Sequence, residues 1–169
     1  ASLTTLRCGI IVGPGGSSLK ILINLVRRLP IMGLPSWTNS YTQPISINDV
    51  QLALTKCLEH PKKFKGSFDI GGPNIMSYKE MMRITASVLK TKLLMFSVPF
   101  IPTSFSKRWV STFSGVSINL ISPLIDSLKH DLVTSDNILQ KQISKNSFTF
   151  KESLMNSIDS KGFPIRNPR

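Results

Sequence analysis

The chain has 169 residues, 41% of them apolar, and a formal charge of +12 at pH 7. This length is typical of one domain, and the apolar fraction is sufficient for a hydrophobic core. The sequence lacks the run of roughly 18 apolar residues that crosses a bilayer and lacks the pattern of a signal peptide, so we expect a cytoplasmic protein. Because the chain starts without Met in a strand-like run, we expect a fragment of a longer protein.

The basic residues are spread along the whole chain, and no acidic residue precedes Asp49. Such a surface can meet a polyanion, a missing acidic partner or an anionic membrane. No nucleic-acid recognition motif organises the charges, so we do not expect specific binding to nucleic acid. Cys8 and Cys57 lie in apolar patterns without ligand spacing, which indicates buried thiols and no metal site.

The first predicted unit is one buried strand over 3–12, a glycine turn over 13–16, and a helix that Ser17 or Ser18 caps and that ends at Leu29. This order allows a dinucleotide fingerprint, in which the glycines approach a pyrophosphate at the helix start. Against it, Ser18 occupies the third glycine position, and no acidic residue follows at the usual distance of about 20 residues. We therefore favour a tight turn at the carboxyl end of a strand.

An irregular segment is predicted over 30–41, where Trp37 is either a lid over a pocket or an anchor for the loop. Alternation predicts a short strand over 43–47, and a helix capped at 48–49 follows. Asp49 is a possible general base, but an acidic residue at a helix start is first a cap. The apolar face of this helix is predicted to contain Val50, Ala53, Leu54, Cys57 and Leu58.

Two helix starts have a specific local signature. Over 68–83 the sequence predicts a strand, a Gly-Gly-Pro turn and a helix that begins on a capping box of Ser77 and Glu80. In such a box the hydroxyl accepts from the backbone of the third residue, whose carboxylate accepts from the backbone of the cap. Thr149 and Glu152 form a second box, so we expect a last helix there.

Between these helices, a strand is predicted over 93–98 and a helix that Ser122 caps, with Pro123 at its first position. Residues 100–121 show no stable period and are predicted to be irregular. This segment is either a substrate-side flap or an amphipathic stretch that rests on a membrane surface. The side chains that would contact the membrane are Phe100, Phe105, Lys107, Arg108, Trp109 and Phe113. Residues 161–169 are predicted to be a loose tail.

The order and spacing of several segments form a recognisable set. These segments are Leu6-Arg7 with Gly13-Pro14-Gly15, Gln43–Val50, Phe68–Pro73 with Tyr78–Met81, Asp131–Asp136, and Phe148–Ser153. Together they resemble the C-terminal half of extended or atypical short-chain dehydrogenase/reductases, the NAD(P)-dependent epimerase/dehydratase-like group. Within that group, they are most similar to bacterial proteins akin to the complex I 39-kDa accessory subunit.

This resemblance implies an α/β fold: the C-terminal portion of a Rossmann-type domain, with a doubly wound, mostly parallel sheet and the helices of a substrate lobe, over 1–160. The family's glycine fingerprint and its Tyr-x-x-x-Lys pair would precede residue 1. The chain would then contain no catalytic residue and would not bind NAD or NADP tightly by itself. Its main partner would be the missing N-terminal half.

The resemblance also places a site. Cys8, Gly9, Ile10 and Ile11 would pass the nicotinamide end of NAD or NADP, and Thr42 would lie on the side of an unknown small-molecule substrate. Trp37, as a lid over a pocket, would lie on the substrate side too. Thr42 stands where sugar-nucleotide epimerases carry Arg, so a UDP-sugar is not expected.

Two functions are compatible with the sequence. The first is a fragment of an NAD(P)-dependent oxidoreductase or epimerase-like protein, inactive alone, that contributes a substrate lobe and late sheet strands. The alternative is a non-catalytic basic module that binds a protein complex, a membrane surface or a polyanion.

Overall fold

The computed structural model describes residues 3–98, 101–136, 138–143, 146–159 and 162–165. The strands in these ranges are β1 (Thr4–Cys8), β2 (Ile11–Val12), β3 (Ile31–Leu34), β4 (Tyr41–Thr42), β5 (Ile45–Ser46), β6 (Gly66–Ile70), β7 (Met76–Ser77) and β8 (Leu94–Ser97). The helices are α1 (Ser17–Arg28), α2 (Ile47–Glu59), α3 (Tyr78–Val88), α4 (Thr103–Ser114), α5 (Ile118–Ser127), α6 (Ile138–Ile143) and α7 (Phe150–Met155). A 3-10 turn occupies Ser36–Asn39.

The described strands pair two by two. β1 and β6 are parallel, with Thr4 opposite Gly66 and Cys8 opposite Ile70. β2 with β5 and β3 with β8 are also parallel, whereas β4 and β7 are antiparallel. Parallel partners need a crossover connection, and helices supply it here. The mixed α/β architecture with mostly parallel pairing confirms the predicted fold class.

The prediction of one strand over 3–12, buried on both faces, is wrong. The chain forms β1 and β2 with a break at Gly9 and Ile10, and along β1 the half-buried and exposed residues alternate. A Cβ atom on Gly9 would lie 3.2 Å from the Leu132 carbonyl oxygen, so another segment crowds the chain at the break. Thr5 and Arg7 are exposed, because no described element covers that face of β1.

Two clusters of buried side chains hold the fold. The larger one, here called the helical core, joins α1, α3, α4, α5 and α7 through residues such as Ile23, Met81, Ile121 and Leu154, all at most 2% exposed. The smaller one, the sheet core, lies between β6 and the helices α2 and α6. The buried members of the sheet core are Ile45, Val50, Ala53, Cys57, Phe64, Ile70 and Leu139.

Both predicted capping boxes are confirmed. The Ser77 hydroxyl accepts from the Glu80 backbone N–H at 3.2 Å, and the Glu80 carboxylate accepts from the Ser77 N–H at 2.7 Å. At the start of α7, the Thr149 hydroxyl and the Glu152 carboxylate make the same two bonds at 3.3 and 2.8 Å. Each box satisfies two backbone donors that a helix start otherwise leaves unpaired.

The predicted caps of α1 and α2 are wrong. α1 begins after Gly16, and no side chain caps it, so Ser17 and Ser18 already belong to the helix. α2 begins after Ser46, whose hydroxyl accepts from the Asn48 N–H at 3.3 Å. Asn48 and Asp49 are therefore inside the first turn of α2.

The buried face of α2 is narrower than predicted. Val50, Ala53 and Cys57 are buried as expected, but Leu54 is 48% and Leu58 is 80% exposed. The spacing of the three buried residues already defines the stripe that faces the sheet core. The two leucines lie to one side of this stripe, where no described element covers them.

The segments predicted to be irregular contain regular structure. Residues 30–41 hold β3 and the 3-10 turn, and residues 100–121 hold α4 and the first part of α5. α4 packs on α1 through Val110, which is 2% exposed, although its Ser and Thr residues hide the apolar period in the sequence. α5 begins after Ser117, so Pro123 lies inside that helix, not at its first position. Phe100 is outside the described residues.

One side chain connects three distant segments. The Gln43 amide, 7% exposed, donates to the Gly72 carbonyl at 2.7 Å. Its carbonyl oxygen accepts from the Thr134 backbone N–H at 3.2 Å and from the Thr134 hydroxyl at 2.7 Å. Gln43 thus fixes the turn after β6 and the segment after α5 against the start of β5.

At the C-terminus, residues 162–165 make specific contacts. The Arg27 guanidinium lies 3.8 Å from the centre of the Phe163 ring. Ile165 donates from its backbone to the Ser157 carbonyl at 2.9 Å, and Ile158 bridges Pro164. The rest of the predicted tail lies outside the described residues. In the part of the chain that the structure covers, no helix has the length and apolar character needed to span a membrane.

Candidate active site

A small cavity lies where β2 meets the helical core. Its volume is about 60 Å³, and it is partly open to the surface. Ile10 and Trp37, two residues predicted to form the site, line this cavity. The other lining residues are Val12, Ser18, Leu19, Ile21, Leu22, Leu25, Tyr78, Met81, Met82, Val110, Leu124, Ile125, Leu128 and Phe150.

Trp37 and Tyr78 form one wall of the cavity. Trp37 is 7% and Tyr78 is 5% exposed, and their rings meet edge to face with centroids 6.2 Å apart. Trp37 is thus packed into the helical core and also borders the cavity. Neither the indole Nε1 nor the phenol oxygen has a hydrogen-bond partner among the described residues. Buried polar groups are normally paired, so these two atoms mark an unusual place in the fold.

Thr42 lies against the break between β1 and β2. It is fully buried, and a Cβ atom on Gly9 would lie 3.3 Å from its Oγ1 atom. The backbone of Thr42 pairs with Met76 in β7 and bridges Leu132. Its hydroxyl also lacks a hydrogen bond of ordinary geometry to any described residue. Gly9 therefore brings the end of β1 close to a third buried polar group, the Thr42 hydroxyl.

The environment of Tyr78 fixes its protonation state. Burial raises the pKa of the Tyr78 phenol, while the hydroxyl of Thr42, which lies near the phenol without proper hydrogen-bond geometry, lowers this pKa. The carboxylate of Asp131 raises it further. Because the net shift is upward from a value of 10.0, the phenol stays protonated at neutral pH. Tyr78 can therefore donate a hydrogen bond, but it is not a base.

Cys8 and Ile11, the other two residues predicted to pass the cofactor, flank this place. Cys8 is half-buried opposite Ile70, and burial raises the pKa of its thiol. Ile11 pairs with Ile45 and is 37% exposed. The structure thus places Ile10 and Trp37 in the cavity wall and Thr42 beside Gly9, whereas Cys8 packs against the sheet core and Ile11 does not line the cavity.

Sequence reasoning missed Tyr78 as a member of this site. The signal was its position, because it is the first helical residue after the Gly-Gly-Pro turn and the Ser77 cap. A strand-to-helix corner of this kind lies at the carboxyl end of a sheet, where α/β proteins bind their ligands.

The glycine turn before α1 packs against α2. A Cβ atom on Gly13 would lie 2.5 Å from Cγ2 of Ile47, so this side of the turn has no space for a side chain. Gly15 has φ +77°, which favours glycine, and the Gly16 N–H donates to the Gly13 carbonyl at 3.3 Å. This geometry is that of a tight turn.

Asp49, the possible general base, lies away from the cavity. It is 3% exposed, and its Oδ2 atom accepts from the Phe148 backbone N–H at 3.0 Å. Burial raises the pKa of this carboxyl, and the Phe148 bond opposes the shift. Asp49 therefore ties α2 to the residues before α7, which corrects the prediction that it is a helix cap. Within the described ranges, no three His, Cys, Asp or Glu side chains are placed to hold a metal ion.

Comparison with known proteins gives no match by sequence but clear matches by structure. No family model and no curated protein matches the chain. Dehydrorhamnose reductase from Bacillus anthracis, solved with NADP, is 14% identical with a TM-score of 0.57, and the match covers 89% of this chain and 45% of that one. Triphenylmethane reductase from Citrobacter sp., solved with NADP(H), is 16% identical with a TM-score of 0.59, over 82% and 47%.

A third similar structure is RMD from Pseudomonas aeruginosa, solved with NADPH, at 13% identity and a TM-score of 0.55, over 89% of this chain and 44% of that one. At these identities the likeness establishes the fold. The chain spans just under half the length of these three proteins. Its fold is thus that of part of a Rossmann-type α/β protein.

Proposed function

We propose that the chain is the C-terminal part of an NAD(P)-dependent oxidoreductase or epimerase-like protein, and that it supplies the substrate lobe and late sheet strands. The observation that carries this proposal is the site at the end of β1. There the chain breaks at Gly9 and Ile10, beside a cavity that Ile10 lines and beside the buried hydroxyl of Thr42. Ligands of open α/β sheets bind outside the carboxyl ends of the strands. Within this class, the sequence segments favour the group akin to the complex I 39-kDa subunit.

The incomplete sheet supports a missing N-terminal half. Parallel sheets are normally covered on both faces. Here β1 pairs only with β6 among the described residues, Leu3 is 75% exposed, and the Arg7 side chain is 64% exposed. We infer that strands and helices from a preceding part of the protein extend the sheet beyond β1 and cover its open face.

The residues of this chain would bind and orient the reactants. The nicotinamide end of the cofactor would pass Gly9 and Ile10, and the cofactor would supply the hydride chemistry. The Thr42 hydroxyl beside Gly9 has no hydrogen bond of ordinary geometry to a described residue, which fits this placement, because a bound polar group would satisfy it. The preceding part would contribute the catalytic Tyr-x-x-x-Lys pair and most of the cofactor site. We therefore expect the isolated chain to be inactive and to bind NAD(P) weakly.

The test compares this chain with the longer protein encoded by its native gene. NADPH and NADH are titrated against both, with cofactor fluorescence as the readout. We expect tight binding by the longer protein alone. Tight binding by the isolated chain would overturn the proposal, and so would an absence of binding by the longer protein.

A pair of variants locates the site in the longer protein. Gly9→Val should weaken cofactor binding, because its side chain would collide with the Leu132 carbonyl and the Thr42 hydroxyl and displace the end of β1. The exposed Ser87→Ala should leave cofactor affinity unchanged. Unchanged affinity in a folded Gly9→Val protein would place the cofactor elsewhere.

A further inference from the structure

We propose that one face of the β3–β8 pair rests on a membrane that contains anionic lipids. This surface, here called the outer face, consists of Ile31, Gly33, Leu94 and Phe96. The proposal goes beyond the proposed function and does not depend on it, because the outer face lies on a different pair of strands from the open face of β1.

The outer face is apolar and exposed. Ile31 lies opposite Leu94, and Gly33 lies opposite Phe96, so alternation along the strands places these four residues on one side of the pair. The side chains of Ile31, Leu94 and Phe96 are 60%, 67% and 53% exposed. Met32, on the other side, is fully buried in the helical core. The pair is therefore covered on its inner side and presents large hydrocarbon groups on its outer side.

Gly33 lets the apolar side chains of β8 lie across β3. A Cβ atom on Gly33 would lie 3.1 Å from Cγ2 of Val98 and 3.5 Å from Cε2 of Phe96. The two strands thus share one continuous apolar patch. Contiguous exposed patches of this kind, when polar residues surround them, mark contact sites for proteins or membranes.

Basic residues surround the end of the patch where both strands begin. Arg27 and Arg28 end α1 just before β3, and Lys90 and Lys92 lie between α3 and β8. The first residue of β8 donates from its backbone to the Pro30 carbonyl at 2.8 Å, so the two connections lie side by side. All four basic side chains belong to exposed residues. We call them the basic rim.

Nearby acidic residues do not balance the basic rim. The stretches 27–34 and 88–98 contain no Asp or Glu. Among the described residues, Asp159 lines a hollow together with Lys90, and its carboxylate accepts from the Phe163 N–H at 2.7 Å. One carboxylate beside four cations leaves a net positive charge next to the outer face.

This combination of charge and apolar surface matches an anionic bilayer. Apolar side chains enter the boundary between headgroups and acyl chains, and binding strength grows with the buried apolar area and with attraction to anionic lipids. Each Lys or Arg close to such a surface adds about fivefold in affinity. The outer face supplies the apolar part, and the basic rim supplies the charge.

A second copy of the chain fits the outer face less well. Pairing two outer faces would bring two basic rims together, and like charges repel. A specific protein interface also buries about 800 Å² on each partner, whereas the outer face offers three large side chains. A bilayer needs no matching shape.

The segment over 100–121 is less suited to this role. Trp109 and Phe113 are partly buried against the helical core, and Lys107 pairs with Asp126. These side chains already make contacts within the protein. The outer face is therefore the surface to test.

The experiment measures co-sedimentation of the unmodified chain with two kinds of vesicle. One kind is phosphatidylcholine alone, and in the other roughly 30% of the lipid is phosphatidylserine. We expect binding to the anionic vesicles to be at least about tenfold tighter. It should weaken when the salt is raised from about 0.1 M to about 0.5 M, because salt screens the attraction.

The apolar contribution is tested with paired substitutions. Leu94→Ser together with Phe96→Ser should weaken binding to the anionic vesicles by about tenfold or more, because two inserted side chains become polar. Leu54→Ser together with Leu58→Ser is the matched control, since these leucines are exposed on α2. The control should bind as the unmodified chain does.

The charge contribution has its own pair. Lys90→Gln together with Lys92→Gln should weaken binding by about 20-fold. Lys62→Gln together with Lys65→Gln removes the same charge from exposed residues before β6 and should weaken binding by less than about threefold.

A fluorescent reporter locates the contact even if the serine variant does not fold. The emission of Phe96→Trp should shift to shorter wavelength on anionic vesicles, because the new indole leaves water. The emission of Leu58→Trp, at a position that is 80% exposed on α2, should not shift.

An absence of binding to anionic vesicles would overturn the proposal, and so would equal binding to both kinds of vesicle. Equal weakening in the outer-face and control variants would also overturn it. Loss of binding in the lysine variant alone would indicate a site for polyanions into which the outer face does not insert. A dimer that the serine variant dissociates in analytical ultracentrifugation would assign the outer face to a second copy. Vesicle binding that the longer protein lacks would assign the outer face to the N-terminal half.

Discussion

The helical core and the sheet core differ in how completely they are enclosed. The helical core joins five helices, and several of its side chains are fully buried. The sheet core is smaller and lies on one side of a two-stranded parallel pair whose other side contains exposed residues. Parallel sheets are normally covered on both faces, so the open face of the sheet region is what the proposed N-terminal half would cover.

The difference also shows where stability resides. A well-packed cluster relaxes little when a side chain is removed, whereas a cluster beside an open face can collapse into the space. The cavity is walled mainly by residues of the helical core, and Ile10, at the break after β1, is also in its wall. The four predictions that follow test this contrast.

The largest expected effect comes from removing one isoleucine in each core. Ile23 in the helical core and Ile70 in the sheet core are both fully buried. We expect Ile23→Ala to lower the free energy of unfolding by about 4 kcal/mol and Ile70→Ala by about 2 kcal/mol, because the sheet core relaxes more easily. Urea denaturation measures both.

The exposed Leu58→Ala, at 80% exposure, serves as the control and should change stability by less than about 0.5 kcal/mol. A greater loss for Ile70→Ala than for Ile23→Ala would reverse the comparison and make the sheet core the more rigid part.

A glycine at the end of β6 should give the next largest effect. A Cβ atom on Gly72 would lie 2.0 Å from the Pro44 carbonyl oxygen, so Gly72→Ala forces two backbone segments apart and should cost about 3 kcal/mol. Gly66→Ala, at φ +112° with no heavy atom within 4 Å, adds backbone strain without a collision and should cost about 1 kcal/mol. Thermal unfolding measures the stability of both variants. Equal stability of Gly72→Ala and Gly66→Ala would contradict the predicted backbone collision at Gly72.

The two capping boxes belong to helices of the helical core and should have moderate, similar effects. Ser77→Ala and Thr149→Ala each remove the hydroxyl that accepts from the third helical residue. We expect each to lower the free energy of unfolding by about 1 kcal/mol. Ser87→Ala, at an exposed position of α3, is the control. Unchanged stability in Ser77→Ala would show that tertiary packing alone fixes the start of α3.

The smallest effect is a contrast in pH dependence between two aspartates. The Ser135 hydroxyl lowers the pKa of Asp69, with a further contribution from Arg7, so the ionised form stabilises the fold above its unfolded pKa of about 4. This contribution is lost as the pH falls through the lowered value. Burial raises the pKa of Asp49. Ionised Asp49 therefore destabilises the fold, and this loss of stability appears as the pH rises from about 4 through the raised pKa.

Unfolding of the two asparagine variants between pH 3 and pH 7 measures these signs. The difference in free energy of unfolding between the natural chain and Asp69→Asn should grow with pH. The corresponding difference for Asp49→Asn should shrink. Each change should be smaller than the free energy lost when one helix cap is removed. Parallel pH profiles for the two variants would show that neither carboxyl has the environment described.

The sequence allowed prediction of the features that depend on neighbours along the chain. Ser77 with Glu80 and Thr149 with Glu152 form their boxes within four residues, so a local pattern contains all the information. Asp49 shows the opposite case, because its partner is the backbone of Phe148, 99 residues away. The position of Asp49 near a helix start favoured the prediction of a cap. Its actual role, as acceptor for the Phe148 backbone, could be seen only in the tertiary structure.

The candidate site was predictable in part. The family resemblance pointed to Gly9, Ile10 and Thr42, and the sequence itself to Trp37. In the structure Ile10 and Trp37 line the cavity, and Thr42 lies beside Gly9. Tyr78 was missed because its position after the Gly-Gly-Pro turn indicates a strand-to-helix corner but does not show that the phenol is buried. The part of the cavity wall that α4 contributes through Val110 was missed for another reason, since the Ser and Thr residues of α4 obscure the period of an amphipathic helix.

Gln43 has a consequence for how the protein folds during its synthesis. Its side chain joins Gly72 and Thr134, and the latter is 91 residues further along the chain. A nascent chain cannot form the second contact until Thr134 has left the ribosome. We therefore expect the Gln43 side chain to remain hydrated for most of translation. Its tertiary contacts should form late, after the helices that need only local partners have formed.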